Sequence, residues 1–523
     1  MRMLNRFMLV FFLCLITFFS SFSQSIVVNN AFRLGSPYNE PDGRNDIVKI
    51  NATDFVTLAK VKGNATGKSD FMLERYDGSS LQPQWQVSLS ADGFEDYKDL
   101  YFNGKEIVLL SVIHNEGEKK TRLEGYGFDI SSGTKTWTKE MEAYTVGDWE
   151  THAHKGKVKE SFIDVVCEHA NAEFVTPFEY KHNIHFSPDQ SKFISYVFDY
   201  GQKNLTANIS VYDNACNLLN RGIVTIDNDF TNHGIYINNK GTVFIINANN
   251  SGKLNFIQFD LVSKDFTLLE LPPSNFQKDD FQVQFQNDDI IYVGNSEIAQ
   301  GKVVGVMFSK FDFKNKKLEK SIYHEFRPEF KSEVVKERAA KGIKGDEDWK
   351  DYDITDFIVE SNGNIVFLLE KRSLYAEGYP HVSRDMFDKS HTVEFIGHVH
   401  AEGILMLYFK DDLLEWSNYI AKNQVYPAND GLNSVSFVID NTKAATIRLL
   451  YASSEGMDGM LSTLNIVSID RATGNKTGPV ILPNKDKLSL VKDYTIWPED
   501  NSLIIVGKKG ILGKSSNIAK YKL

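Results

Sequence analysis

Short runs of alternating apolar and polar residues cover most of this chain, and they come in pairs. In "DIVKINATDFVTLAKVK", from Asp46, an alternating run meets a turn containing Asn and Asp, and a second, more apolar run follows. Period-two alternation puts successive side chains on opposite faces of a strand. Asn, Asp, Gly and Pro supply the turn, so each pair predicts a β-hairpin. Seven more hairpins follow, from Lys98, His182, His233, Phe281, Thr355, Asn433 and Asp493.

Each hairpin leads to a third strand that alternates and then meets an acid: Asp77, Asp129, Asp213, Asp260, Asp312, Asp412 and Asp470. In the eighth copy, "NIAKYKL", Lys522 takes the acid's place. Successive acids lie 52, 84, 47, 52, 100 and 58 residues apart, a period near 50 stretched twice by insertions. A fourth strand follows most acids through a tight turn, as in "DISSGTKTWTKEM", which ends near Trp137, and "DGSSLQPQWQVSL", which places Trp85 similarly. Four antiparallel strands per unit of about 50 residues predict a single all-β domain, a β-propeller of eight four-stranded blades, with seven as the alternative. The last unit supplies three strands and the chain ends. Its fourth strand is expected from "SIVVNNAF" at 25–32, so that the N-terminal and C-terminal strands pair and close the ring.

The first 23 residues stand outside this pattern. Arg2 and Arg6 precede an apolar run too short to span a bilayer comfortably, and Ser21-Phe22-Ser23 has the small residues of a cleavage site before Gln24. Residues 1–23 are therefore expected to be a signal peptide and 24–523 the propeller, exported to the periplasm. Cys14 follows "FFL" rather than small residues, which argues against lipidation. Losing Arg2 and Arg6 takes the formal charge from −11 to −13, against nucleic acid and anionic membrane as partners. No later segment is apolar enough to be expected to span a membrane. Cys167 and Cys216 remain, and neither has a CxxC partner for a structural zinc site. They are expected at opposite ends of a blade, too far apart to pair.

The pattern D-x-x-[ST]-G-x-x-x-W from Asp129 to Trp137 resembles the tryptophan-docking repeat of pyrroloquinoline-quinone dehydrogenase propellers, and "DRATGNKTG" at Asp470 matches it in part. The resemblance implies tryptophans packed between blades. It does not carry the cofactor, and no cofactor is assigned. "HFSPDQSKFISYVF" at His185 resembles the hairpin of TolB-like propellers. The stretch 352–431 resembles exported propellers of bacteria that use type IX secretion, and the whole chain is similar in kind to the plug subunit of that translocon.

In an antiparallel blade the first-to-second and third-to-fourth turns lie on one face, and the remaining connections on the other. All three long insertions, 143–180, 323–351 and 373–402, fall in the second set and are expected on one face. Loops of this length usually bind or cover something. The first holds Trp149 and His152, with His154 completing His-x-His. Spacing supplies no third and fourth ligand, so no metal site is assigned. The second, "KSEVVKERAAKGIKG", predicts a helix capped by Ser332 and ended by Gly342, lying solvated on the rim with a thin apolar stripe of Val334, Val335 and Ala339. The third combines Tyr375, Tyr379, His381, Arg384 and Phe387, residue types that protein interfaces favour at their centres. His398 and His400 read as ordinary strand positions.

There is no GxSxG elbow and no phosphate loop. The expected function is a non-catalytic periplasmic propeller that binds another envelope or outer-membrane protein, as a plug-like accessory of a secretion channel. The alternative is a carbohydrate-active hydrolase or lyase with its site at the axial end of the loop face. Acids are abundant, and a carboxylate pair is recognised by separation in space rather than by spacing in sequence.

Overall fold

The computed structural model describes residues 26–29, 46–63, 69–90, 94–115, 120–145, 183–199, 205–226, 230–249, 254–271, 277–343, 347–381, 392–427, 437–454, 462–484, 488–490, 492, 495–499, 501–509 and 515–523. Eight antiparallel sheets form an eight-bladed β-propeller. Seven blades are continuous in sequence: 46–90, 94–145, 183–226, 230–270, 277–325, 352–427 and 437–482. In each, four strands run in order from the axis outward.

The eighth blade takes its outer strand from the other end of the chain. Ile26–Asn29 pairs antiparallel with Ser515–Lys522, in the register Ile26↔Tyr521 to Asn29↔Ile518. Its inner strand is split into Leu488–Ser489 and Thr495–Ile496, both paired to Ser502–Lys509.

The second and third strands of a blade touch neighbouring blades on both faces, which explains their near-continuous apolar runs. In blade six Val366, Leu368, Ile404 and Met406 pack towards blade seven, while Phe367, Leu369, Leu405 and Leu407 pack towards blade five. The ring closes by the same packing: Ile504, Val506 and Ile518 of blade eight bury against Phe55, Tyr76 and Leu81 of blade one.

The recurring acids have one local job. The carboxylates of Asp77, Asp129, Asp260 and Asp470 each accept backbone N–H groups two and three residues on, closing an Asx-turn. Asp213 and Asp312 cap their turns by variants of this bonding. Four residues after the acid, the chain turns left-handed at Leu81, Gly133, Lys264, Lys316 and Gly474.

Blade six departs from this pattern. Its turn is the two-residue Asp411-Asp412 between the paired Lys410 and Leu413, with φ of 49° and 68°. Asp412 therefore does not cap a turn as its repeat position implied. Its carboxylate instead pairs with Lys320 of blade five.

The tryptophans dock between blades, but not where the best sequence match lies. Trp85 donates its indole N–H to the Ile130 carbonyl, in the turn of blade two. Trp416 does the same to Arg471 in blade seven and stacks on Tyr408. A Cβ on Gly133 or Gly474 would lie within 2.7 Å of the docked ring. Trp137 bonds Glu106 of its own blade instead, while packing towards buried Cys216 of blade three. Cys216 is a free thiol in the last turn of its blade. Cys167 lies outside the described residues.

Candidate functional site

Within the insertion 373–402, the described residues 373–381 and 392–402 are paired strand rather than loop. The second strand of blade six runs Ile365–His381 and the third Thr392–Lys410, far beyond their neighbours. Pairing with the inner strand stops at Tyr352↔Lys371. Beyond it, nine pairs from Ser373↔His400 to His381↔Thr392 continue the second and third strands, the last six of them, from Ala376↔Gly397, as a two-stranded ribbon. At about 3.3 Å per residue this arm is on the order of 30 Å long. The outer strand, Leu413–Pro427, supports it only as far as His398↔Pro427.

The register sorts the arm's residues. Tyr375, Glu377, Tyr379 and His381 lie on one face with His398, Ile396, Glu394 and Thr392 opposite them. Leu374, Ala376, Gly378 and Pro380 lie on the other, opposite Val399, Gly397, Phe395 and Val393. Three of the seven predicted site residues, Tyr375, Tyr379 and His381, thus share one ribbon face. Arg384, Phe387, Trp149 and His152 lie outside the described residues, and so does the His-x-His of the first insertion. His398 and His400 are strand positions, as expected.

A β-bulge marks where the arm leaves the blade. The register slips on both sides of the third strand at Glu402, an extra residue that a bulge re-aims. Its carboxylate accepts from Arg338 at 2.7 Å. The Tyr419 hydroxyl donates to the Glu402 carbonyl at 3.2 Å, and a Cβ at the neighbouring Gly403 would strike that hydroxyl at 2.1 Å and the tyrosine ring at 2.3 Å.

Arg338 belongs to the helix of the second insertion, α1, Pro328–Ala340. The helix begins before the expected Ser332, because Pro328 occupies its first turn, where a missing N–H costs nothing. Ser332 bonds back to Pro328 within the helix. Gly342, φ +74°, ends it as expected: Gly342 N–H donates to Ala339 and Ile343 N–H to Arg338, a Schellman closure.

Nor is α1 merely a solvated rim helix. Phe330, Val334 and Arg338, four apart, form its buried face, while Val335 and Ala339 are exposed. Phe330 and Val334 pack into the core shared by blades five and six. Arg338 bonds Glu347 at 2.9 Å, and Lys371 bonds Glu347 at 2.6 Å and Asp348 at 2.8 Å. Burial penalises the Lys371 charge, but its bonds to Asp348 and Glu347 hold its pKa above the ordinary lysine range. Burial also works against Asp348, and the Lys371 bond, the Lys350 N–H and the two lysine charges together outweigh it, lowering that carboxyl.

The opposite face of the same junction holds a second cluster. Lys422 is buried against Glu370 and donates to Gln424 at 3.0 Å, with Arg372 beside it. Burial pulls the Lys422 pKa below its usual value despite the Glu370 charge. The arm therefore springs from a junction held by buried ion pairs on both faces. Sequence reading missed these residues. Charged residues inside an otherwise apolar strand, "FLLEKRS", were the available signal.

On the axis, Asp356 of the inner strand of blade six is half-buried, and the desolvation raises its pKa. Lys492, from the break in the inner strand of blade eight, reaches it at 3.2 Å and lies over the Phe437 ring. Among the described residues, no group of three or more His, Cys, Asp or Glu side chains is placed to hold a metal ion. No helix among them is long and apolar enough to cross a membrane.

These features define the class as an eight-bladed β-propeller with one elaborated blade. No family model matches the sequence, and no curated protein matches it. Similar solved structures include Sqt1 of Saccharomyces cerevisiae, at 9% identity and a TM-score of 0.40 over 95% of this chain and 100% of that one. The propeller domain of the trilobed protease of Pyrococcus furiosus gives 11% and 0.34 over 82% and 95%. The polysaccharide lyase Uly1 gives 10% and 0.36 over 93% and 90%. Overlaps this low add nothing to what the blade pairings establish, and the functional argument rests on this chain's own residues.

Proposed function

We propose that this propeller is a non-catalytic binding module that captures another protein of the cell envelope through the blade-six arm. The observation that carries this is the arm itself, a projecting ribbon with Tyr375, Tyr379 and His381 on one face, rooted in two buried ion-pair clusters. Fixing a projecting element this firmly reduces the ordering cost of binding. The finer reading is an exported periplasmic protein that serves as a plug-like accessory of a secretion channel. It is supported by the leader-like residues 1–23 and by the local resemblance to propellers of type IX-secreting bacteria. The carbohydrate-active alternative needs a pair of free carboxyls at the axis, and the half-buried Asp356 is instead engaged by Lys492.

The test removes 376–397 and joins Tyr375 to His398, a paired position, by an Asn-Gly turn. This variant should fold, since the blade's own ladders stay intact. Envelope extract passed over the full chain and over the variant, with quantitative mass spectrometry, should yield a protein held by the first and lost from the second. Direct binding by the purified pair should confirm it. Equal capture by both chains would remove the arm from the site.

A further inference from the structure

We infer that the inner edge of the arm, from Leu374 to Pro380, is a strand-addition site that takes an extended polypeptide segment of the partner. The inference rests on the reading of the arm as the contact surface and names how that contact is made.

The argument is one of backbone direction. In an antiparallel pair, residues whose N–H and C=O both meet the partner alternate with residues whose groups point the other way. The Arg372 N–H points away from the third strand, since it donates to the Asp351 carbonyl on the inner side. The register runs unbroken from Arg372 to His381. Leu374, Ala376 and Gly378 therefore present both N–H and C=O to the inner side, and Pro380 presents C=O.

Pro380 is independent support. Within a strand, proline is tolerated where its missing N–H would face an unpaired edge, and 380 falls in that phase. Three donors and four acceptors thus line the edge, and no described strand pairs with them. A two-stranded ribbon alone in water is marginal at best, and a third strand is what stabilises it.

Location and chemistry select the occupant. The free edge continues the lane that Tyr352–Val359 fills lower in the blade, on the axial side of the ring. Regularly spaced backbone donors and acceptors are matched by another extended backbone, with side chains on alternate faces setting specificity. The face carrying Leu374, Ala376, Gly378 and Pro380, with Val399, Phe395 and Val393 across from them, is apolar, and the opposite face carries Tyr, His and Glu. The segment that fits alternates apolar with polar residues.

The probe is a phage-displayed library of capped ten-residue peptides alternating Val, Ile, Leu, Phe or Tyr with Ser, Thr, Lys or Glu. It is panned on the full chain and counter-selected on the arm-deleted chain. Ala376→Pro removes one outward N–H and blocks the edge while leaving the inward ladder to the third strand. Ala376→Ser keeps the N–H. Enriched peptides should bind the Ala376→Pro chain at least about tenfold more weakly and the Ala376→Ser chain as well as the parent, at unchanged melting temperature. Should Ala376→Pro lower the melting temperature, hydrogen exchange replaces it as the readout. The Leu374, Ala376 and Gly378 amides of the parent chain should then gain protection on adding an enriched peptide.

No enrichment over the arm-deleted chain, or enriched peptides indifferent to Ala376→Pro with no amide protection, overturns the inference. So does a chain that dimerises through this edge, seen as a mass halved by Ala376→Pro. Envelope capture that needs the arm but ignores Ala376→Pro would sink strand addition and leave the binding module standing. Capture indifferent to the arm would sink both.

Discussion

His185 sits on the inner strand Asn183–Phe186, near-parallel to the Tyr196 ring at 5.9 Å and edge-on to Tyr236 at 5.6 Å. Burial lowers its pKa. His324 is lowered by burial too, and by the Arg327 charge. The folded chain thus binds these protons less readily than the unfolded chain, so acid favours unfolding. Their neutral forms are fully compatible with the fold above about pH 6.5, the unfolded value, and stability falls as pH drops below it towards the folded value. His185→Gln should shrink the fall in melting temperature between pH 8 and pH 5.5 relative to the parent. The same fall in both chains would mean that His185 is freely solvated. Sequence alone reached only the hairpin around this histidine. Alternation tells which residues share a face, but the rings that cover His185 come from another strand and another blade. The same limit hid Trp416, whose docking turn lies 55 residues away.

Blade six shows what element-scale reading sees and what it misses. Its four strands were legible, because their buried middle runs are apolar and their turns carry Asn, Gly and Asp. The arm was not, because Gly378, Pro380 and Gly397 interrupt the alternation and make paired strand look like loop. The pattern predicts a start of α1 at Ser332, but the helix begins at Pro328, whose missing N–H suits a first turn, and Phe330 joins its buried face. The ion pairs at the arm's root were missed because a charge in a strand says nothing of the partner that neutralises it. Glu370→Gln should destabilise the chain by about 3–5 kcal/mol, the range for removing one member of a buried pair, because Lys422 would be left buried with no carboxylate beside it, to hold an unpaired charge or give up its proton. Replacing both, as Glu370→Gln with Lys422→Met, should recover a substantial part of that loss. Urea denaturation of parent, single and double variants measures it. A single variant within about 0.5 kcal/mol of the parent, the range of an ordinary surface change, would show the pair to be solvated and the arm's root to be held by packing alone.

For the whole molecule, the question is how a ring of blades avoids an open edge. The repeat count and the missing last strand were both readable from the sequence, because each blade repeats one local pattern and the period shows through the insertions. Closure rests on four pairs, Ile26↔Tyr521 to Asn29↔Ile518, and on the core that Ile504, Val506 and Ile518 share with blade one. Without 25–32, the strand Ser515–Lys522 would become the bare edge of a three-stranded blade. Ile518, Ala519 and Tyr521, now buried, lie on that strand. A chain starting after Phe32 should therefore melt several degrees below one starting at Gln24, as expected for the loss of a few kcal/mol in a large domain. It should also self-associate, since an apolar unpaired edge recruits another strand. A peptide of 24–32 added in excess should restore part of the melting temperature by rebinding the vacant lane. Equal melting temperatures for the two chains would show that blade eight holds with three strands and that the N-terminal strand is not its clasp.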